Sequence, residues 1–323
     1  MPESFSVAVC ADEAYALYAV IALRSAALHC QGGAFHGYVF DCGITPPSRA
    51  RCERVLRSAD IPYTWLTVDM DRLGSLPTAT WVSAASNARL LMPHLLPDHV
   101  EEVLYLDSDV LVVSDIAPVF ETFDTSFAAA AARDTPVCAQ VGDSQISDIL
   151  TSYGLHKTDP YFNAGVVLLN IKRWKSEGLG EQMLDLIASD GERFIYRNQT
   201  PMNIVLRGQW QEVDPTWNVT SSAFFDTDHS PESILSTAKI LHFTHENPGT
   251  PLCEHPAESL FLTEVKQSGY FSTLEYLRWR ASARRERVAH QVKARVQSLR
   301  ARIALRTRVT RAWNKRSTQT HNE

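Results

Sequence analysis

The chain has 323 residues, 45% of them hydrophobic and 21% charged, a balance that excludes disordered and fibrous classes and lets the chain bury a sizeable core. No run reaches the roughly 18 to 20 apolar residues of a membrane span, and the start, Met1 to Ser6, lacks the basic region of a signal peptide, so the expected location is cytoplasmic. The net charge of −6 hides a split: residues 276–323 hold fourteen Lys and Arg against two acids, whereas residues 1–275 hold seventeen against thirty-five, which predicts an acidic body and a basic tail with an anionic surface as partner.

Phe5 to Ala11 is an apolar run with two valines and predicts a buried strand. Tyr15 to His29 has the length and the Ala/Leu content of a helix packed over it. Ala34 to Asp41 predicts a second strand, Ser48 to Ser58 a helix, and Tyr63 to Val68 a third strand. Ser86 to Leu95 predicts a helix that kinks or ends at Pro93, and His99 to Leu106 leads into another buried strand. Further on, Phe127 to Ala132, Gly165 to Leu169 and Ile240 to Phe243 are strand candidates expected to extend the same sheet. Helices are predicted over Trp174 to Ser189 and Thr200 to Arg207. Strands alternating with helices predict an α/β fold in one domain, with a mostly parallel central sheet flanked by helices. The six cysteines (Cys10, Cys30, Cys42, Cys52, Cys138 and Cys253) are scattered without a C-x-x-C pair and read as reduced, mostly buried thiols.

Chemistry concentrates in Tyr105-Leu106-Asp107-Ser108-Asp109, where two carboxylates interrupt an apolar run. Alternation along a strand turns both Asp side chains the same way. Two like charges at a buried strand end are costly without a cation, and hard oxygen ligands suit Mg²⁺ or Mn²⁺, which can bridge a diphosphate. His242, after apolar Ile240 and Leu241, is a candidate third ligand, with a core histidine as the alternative.

Taken together and in order, these segments resemble the retaining glycosyltransferases of family eight, most of all the bacterial lipopolysaccharide and lipooligosaccharide galactosyl- and glucosyltransferases. The resemblance covers most of residues 5 to 255. It runs through Val9 to Tyr15, Phe40 to Ile44, Asn87 to Leu90, Tyr105 to Val112, Tyr161 to Asn170 and His242 to Thr244. It implies the A-type nucleotide-sugar transferase fold, with residues 1–275 as catalytic domain. By that resemblance Asp12 accepts a hydrogen bond from uracil, Tyr15 stacks on it, and the Ala11 backbone lies beside it. Arg89 approaches the donor sugar and diphosphate. Ser108 sits within the metal and diphosphate motif, Asn163 and Ala164 hold the sugar hydroxyls, and His242 joins Asp107 and Asp109 on the metal. Asp134 falls where the family contacts donor or acceptor sugar, and Gln199 lies near the anomeric carbon. Asn198 and Thr200 stand where the family has acids, and Pro248 stands near the place of a diphosphate-binding lysine.

The implied reaction moves galactose or glucose from a UDP-hexose, with Mn²⁺ or Mg²⁺, to a hydroxyl of a glycan or lipid-linked saccharide, with retention of configuration, in lipopolysaccharide or surface-polysaccharide assembly. The loop from Asp143 to Asp159, with Tyr153, is a candidate cover for the acceptor. Arg278 to Arg316 interleaves arginines with Trp279, Val288, Val292, Leu299 and Trp313. That pattern predicts a basic amphipathic helix lying on the cytoplasmic face of the membrane. Nucleic acid is not an expected partner. Two alternatives stand beside this reading: a nucleotide-sugar-binding protein without turnover, and a D-x-D phosphatase of the haloacid-dehalogenase type.

Overall fold

The computed structural model describes residues 4–74, 84–134 and 144–289, apart from 157, 195, 197, 226, 227 and 245. Four strands, β1 (Ser4–Ala11), β2 (Ala34–Asp41), β3 (Tyr63–Thr67) and β4 (Glu102–Leu106), pair in parallel in the order β3-β2-β1-β4. They are connected through helices, among them Ala16–Leu28 and Pro46–Ser58. The chain then leaves the sheet as β5 (Val110–Val112) and returns as β6 (Ala129–Arg133), β7 (Phe162–Asn170) and β8 (Trp210–Val213). β7 inserts between β4 and β6 and is antiparallel to both, while β8 is parallel to β6. Of these seven strands, β7 alone runs against the rest, so the sheet is mostly parallel, as the alternating pattern predicts.

The apolar runs become strands because both faces of the sheet are covered. From Phe5 to Ala11 every residue of β1 is buried. The helix Ala16–Leu28 buries Ala19, Ile21, Ala22 and Leu23. It lies so close to β2 that a Cβ on Gly37 would come within 2.7 Å of the Leu23 side chain. The main core also takes in Leu90, Leu91, Met92, Trp174, Met183 and Ile187. Trp174 is fully buried and donates its ring N–H to the Ala128 carbonyl at 2.9 Å.

Three expectations are corrected. Ile240–His242, β10, does not extend the main sheet. It pairs antiparallel with β5 and parallel with β9 (Val219–Thr220) in a separate three-stranded sheet, because β5 has already turned away from the ladder of β4. Residues Ser86 to Leu95 form a 3-10 helix, Ala84–Leu91, followed by a short α-helix, Met92–Leu95. Pro93 sits in the first turn of that helix, where its missing N–H costs nothing. Trp174 to Ser189 is two helices, Ile171–Glu177 and Leu179–Asp190, broken at Gly178, whose φ of 61° lies in the left-handed region.

Among the described cysteines Cys10, Cys42, Cys52 and Cys253 are buried free thiols, and Cys30 is a partly exposed one. Burial pushes the thiols of Cys42 and Cys52 up to about 12. Cys138 lies outside the described residues. Contacts group residues 1–248 with 254–271 in one compact unit, and 249–253 with 272–323 in another. In the second unit residues 273–289 are helical. Its Arg287 donates to the carbonyls of Pro251 at 2.7 Å and Cys253 at 2.8 Å. No helix among the described residues is long and apolar enough to cross a membrane; most of the basic tail, from residue 290 on, lies outside them.

Candidate active site

β4 ends at Leu106, and Asp107 to Asp109 form the turn that leads into β5. Two hydrogen bonds fasten this turn at the carboxyl edge of the sheet. The Asp107 N–H donates to the Gly165 carbonyl of β7 at 2.7 Å, and the Ser108 hydroxyl donates to the Cys10 carbonyl of β1 at 2.8 Å. The second sheet supplies the histidine. In the antiparallel register His242 faces Val110, and the Phe243 N–H donates to the Asp109 carbonyl at 2.9 Å. Asp107, Asp109 and His242 thereby bring ligand atoms within 4.8 Å of one another. His242 Nε2 is 3.4 Å from Asp109 Oδ1 and 3.9 Å from Asp107 Oδ2. The two carboxylates do converge, but a turn after the strand brings them together rather than the alternation expected within a strand.

Gly165 lets the cluster form. A Cβ there would lie 2.2 Å from His242 Cε1 and 2.8 Å from Asp107 Oδ2, so only glycine lets β7 pass behind both ligands. Two carboxylates and an imidazole form a donor set that fits Mn²⁺ or Mg²⁺. Burial opposes a charge on His242, but the Asp109 carboxylate, with Asp107 and Asp134 behind it, holds its pKa above the ordinary histidine value.

Asp107 is held from the other side by Arg89, which is only 3% exposed. Arg89 Nη2 donates to Asp107 Oδ1 and Nη1 to the Ala164 carbonyl, both at 2.6 Å, and the guanidinium lies 4.3 Å from the centre of the Tyr105 ring. Burial works against the Arg89 charge, and the Asp107 carboxylate more than restores it. Burial also pushes the Tyr105 phenol well above its ordinary pKa, so it stays protonated and donates to Asp107 Oδ1 at 2.5 Å. Asp107 is therefore held through Oδ1.

A cleft of about 210 Å³ opens beside the cluster and is lined by Ala11, Asp12, Tyr15, Arg89, Asp107, Ser108, Asp109 and Asn198. Eight residues singled out in the sequence thus share one cleft. Asp12 Oδ1 accepts from the N–H groups of Ala14 and Tyr15 at 3.1 and 3.2 Å, which fixes the entry to the helix Ala16–Leu28. Asn247 donates to the Tyr15 hydroxyl at 3.3 Å. Of the two departures near residue 199, only Asn198 faces this cleft. Thr200 is buried, with its hydroxyl 3.0 Å from that of Tyr161. His245, three residues before Pro248, lies outside the described residues.

Asn163, Asp134 and Gln199 meet behind the cluster. Asp134 Oδ2 accepts from Asn163 Nδ2 and Gln199 Nε2, each at 3.0 Å, and the Ala164 N–H donates to Gln199 Oε1 at 3.1 Å. Asp134 also borders a second cavity, of about 670 Å³, with Asn218, Pro215, Thr216, Thr220, Ser222 and His229 in its wall. In the expected cover, Asp143 to Asp159, Ser144–Ser152 is a helix and Tyr153 donates to Asp190, whereas residues 143 and 157 lie outside the described part. Sequence reasoning gave no role to Gly165 or Asn218. A glycine inside an apolar strand was a usable signal for the first; nothing local marks the second.

A cleft at the carboxyl edge of a mostly parallel sheet, closed by an Asp-Asp-His cluster, is the architecture of an A-type glycosyltransferase. The chain belongs to glycosyl transferase family 8, whose model matches residues 6–247. Among named relatives it is 25% identical over 248 residues to general stress protein A of Bacillus subtilis, covering 75% of this chain and 82% of that one. It is 27% identical over 186 residues to the lipopolysaccharide 1,2-glucosyltransferase of Escherichia coli, covering 56% and 53%. With the lipopolysaccharide 1,3-galactosyltransferase of Salmonella typhimurium it shares 24% over 236 residues, covering 71% and 67%. The solved galactosyltransferase LgtC, in complex with donor and acceptor sugar analogues, has the same fold, with a TM-score of 0.72 at 21% identity over 83% of this chain and 98% of that one.

Proposed function

We propose that this glycosyltransferase moves a hexose, galactose or glucose, from a UDP-sugar to a hydroxyl of a glycan acceptor with retention of configuration, in lipopolysaccharide or surface-polysaccharide assembly. The observation that carries the reading is the Asp107, Asp109 and His242 cluster at the end of a cleft whose other wall holds Asp12 and Tyr15. Uracil stacks on Tyr15 and pairs with Asp12 and the Ala11 backbone. Asp107, Asp109 and His242 hold Mn²⁺ or Mg²⁺, which when bound offsets the charge developing on the leaving UDP. Arg89 keeps Asp107 in place and adds positive charge to the diphosphate end, with Ser108 in the turn between the ligands. Asn163 and the Ala164 backbone take the sugar hydroxyls.

Gln199 is an amide with its oxygen already accepting from Ala164, so it is not a nucleophile. The acceptor hydroxyl then attacks the anomeric carbon from the face the phosphate leaves. The C1–O bond to phosphate breaks as the new C1–O bond forms, and the hydroxyl proton passes to the departing phosphate oxygen. Asp134, between the donor-side amides and the larger cavity, aligns the acceptor there. Mn²⁺-dependent hydrolysis measured over a panel of UDP-sugars tests the reading. One donor is turned over, and Asp109→Asn abolishes the activity; full activity in that variant overturns the metal assignment. Tight donor binding without turnover on any acceptor supports the non-catalytic alternative, which Asn198 in the cleft favours.

The peripheral membrane role rests on the helix at 273–289, which exposes Leu274, Leu277 and Val288 together with Arg278, Arg284 and Arg285. Positions 274, 277, 278, 281, 285 and 288 follow the spacing of one helical face, suited to a surface of anionic lipid-linked acceptors. Deleting residues 290–323, with nine more Lys and Arg, weakens co-sedimentation with anionic vesicles and leaves UDP-sugar hydrolysis intact. Undiminished vesicle binding rules out this part of the tail as the anchor.

A further inference from the structure

His242 can offer a metal only one nitrogen, and which one depends on where its other N–H goes. The ring's Nδ1 lies 2.9 Å from Asn218 Oδ1. A carbonyl oxygen can only accept, so Nδ1 carries a proton, and Nε2, on the side of Asp107 and Asp109, is the nitrogen left to meet an ion in exchange for its own proton. The orientation of Asn218 is itself dictated. Its Nδ2 donates to Asn163 Oδ1 at 2.9 Å, and that oxygen also accepts from the backbone N–H of Gly165 at 3.0 Å. Asn163 cannot turn over, because its Nδ2 donates to the Asp134 carboxylate, which has no hydrogen to give when ionised. Gln199 meets the same carboxylate with its amide N–H and is pinned at its oxygen by Ala164. Every link from Asp134 through Asn163 and Asn218 to His242 thus has one allowed direction, and two backbone N–H groups fix it independently. Asn218 is only 7% exposed and His242 4%.

We infer that Asn218 is a positioning residue for the metal ligand: it presents the Nε2 of His242 to the ion and ties that ligand to the amides proposed to hold the donor sugar. This rests on the metal reading above. The two halves of the Asn218 side chain do separate work. Its oxygen sets the histidine tautomer, and its nitrogen orients Asn163. The coupling is consequently divisible by substitution.

The test is Mn²⁺ affinity in the full chain, read from the electron paramagnetic resonance signal of free Mn²⁺ with no substrate present. Donor KM and kcat are followed separately. Asn218→Leu removes both halves and weakens Mn²⁺ binding about ten- to a hundredfold. Asn218→Asp keeps an acceptor for Nδ1–H but cannot donate to Asn163. It holds Mn²⁺ at least as tightly as wild type while the donor KM rises. Wild-type Mn²⁺ affinity in Asn218→Leu overturns the inference, as does loss of Mn²⁺ binding in Asn218→Asp, and the latter decides alone if Asn218→Leu does not fold. A wild-type chain that binds no Mn²⁺ overturns the metal reading and this one together; wild-type binding matched by Asn218→Leu overturns this one only.

Discussion

The two walls of the Asp107, Asp109 and His242 cluster are built by opposite means. On the Asp107 side a buried guanidinium and a carboxylate compensate one another as charges, with a protonated phenol donating to the carboxylate. On the His242 side the ring is held by neutral amides whose hydrogen bonds have a fixed direction. A charge-built wall is strong but fails badly when one partner goes, since the remaining charge is buried without a counter-ion. An amide-built wall carries little energy per link and much orientation. Stability and metal binding should therefore respond differently on the two sides.

The largest effect is expected from Arg89→Leu, which takes two hydrogen bonds and the counter-charge away from the part-exposed Asp107 and the Ala164 carbonyl and lowers unfolding stability by about 2–3 kcal/mol. Urea denaturation with and without Mn²⁺ measures it, and saturating Mn²⁺ should restore part of the loss because the ion supplies the missing positive charge. A loss untouched by Mn²⁺ would show that the arginine is structural only. Gly165→Ala comes next. Its methyl group would overlap the His242 ring and crowd Asp107, a strain of about 1–3 kcal/mol. Calorimetric titration should find Mn²⁺ binding lost before the fold is. The smallest effect, which sharpens the comparison rather than breaking it, is Asn198→Asp. It adds a carboxylate to the donor cleft, where charge develops, and should raise UDP-sugar turnover by about tenfold, or roughly 1.4 kcal/mol of barrier, with Mn²⁺ affinity unchanged.

The sequence made β1, β2 and β4 readable because strands buried on both faces are continuous apolar runs bounded by polar residues. The small sheet was not readable. Ile240–His242 has the same apolar look, and only its pairing with β5 decides which sheet it joins. Likewise Ser86 to Leu95 carries helical composition, and nothing local separates a 3-10 turn from an α-helix. Within the site, Asp107 and Asp109 declared themselves as charges in an apolar run, and His242 followed from its strand-end position and the family likeness. Asn218 stayed hidden because an asparagine has no function until its partners are known, and those partners stand 55 and 24 positions away. Arg89 was read as a ligand for the donor; that it also braces Asp107 depends on a contact between a 3-10 helix and a turn.

One feature at the far end of the chain bears on how the protein is best shortened. Arg287 fastens the carbonyls of Pro251 and Cys253, on the segment that begins just after the strand bearing His242. A cut at residue 275, which the charge pattern invites, discards that clasp along with the basic tail. A cut after residue 289 keeps it. Only the longer version separates what the tail does for attachment from what its first turns do for the 249–253 segment.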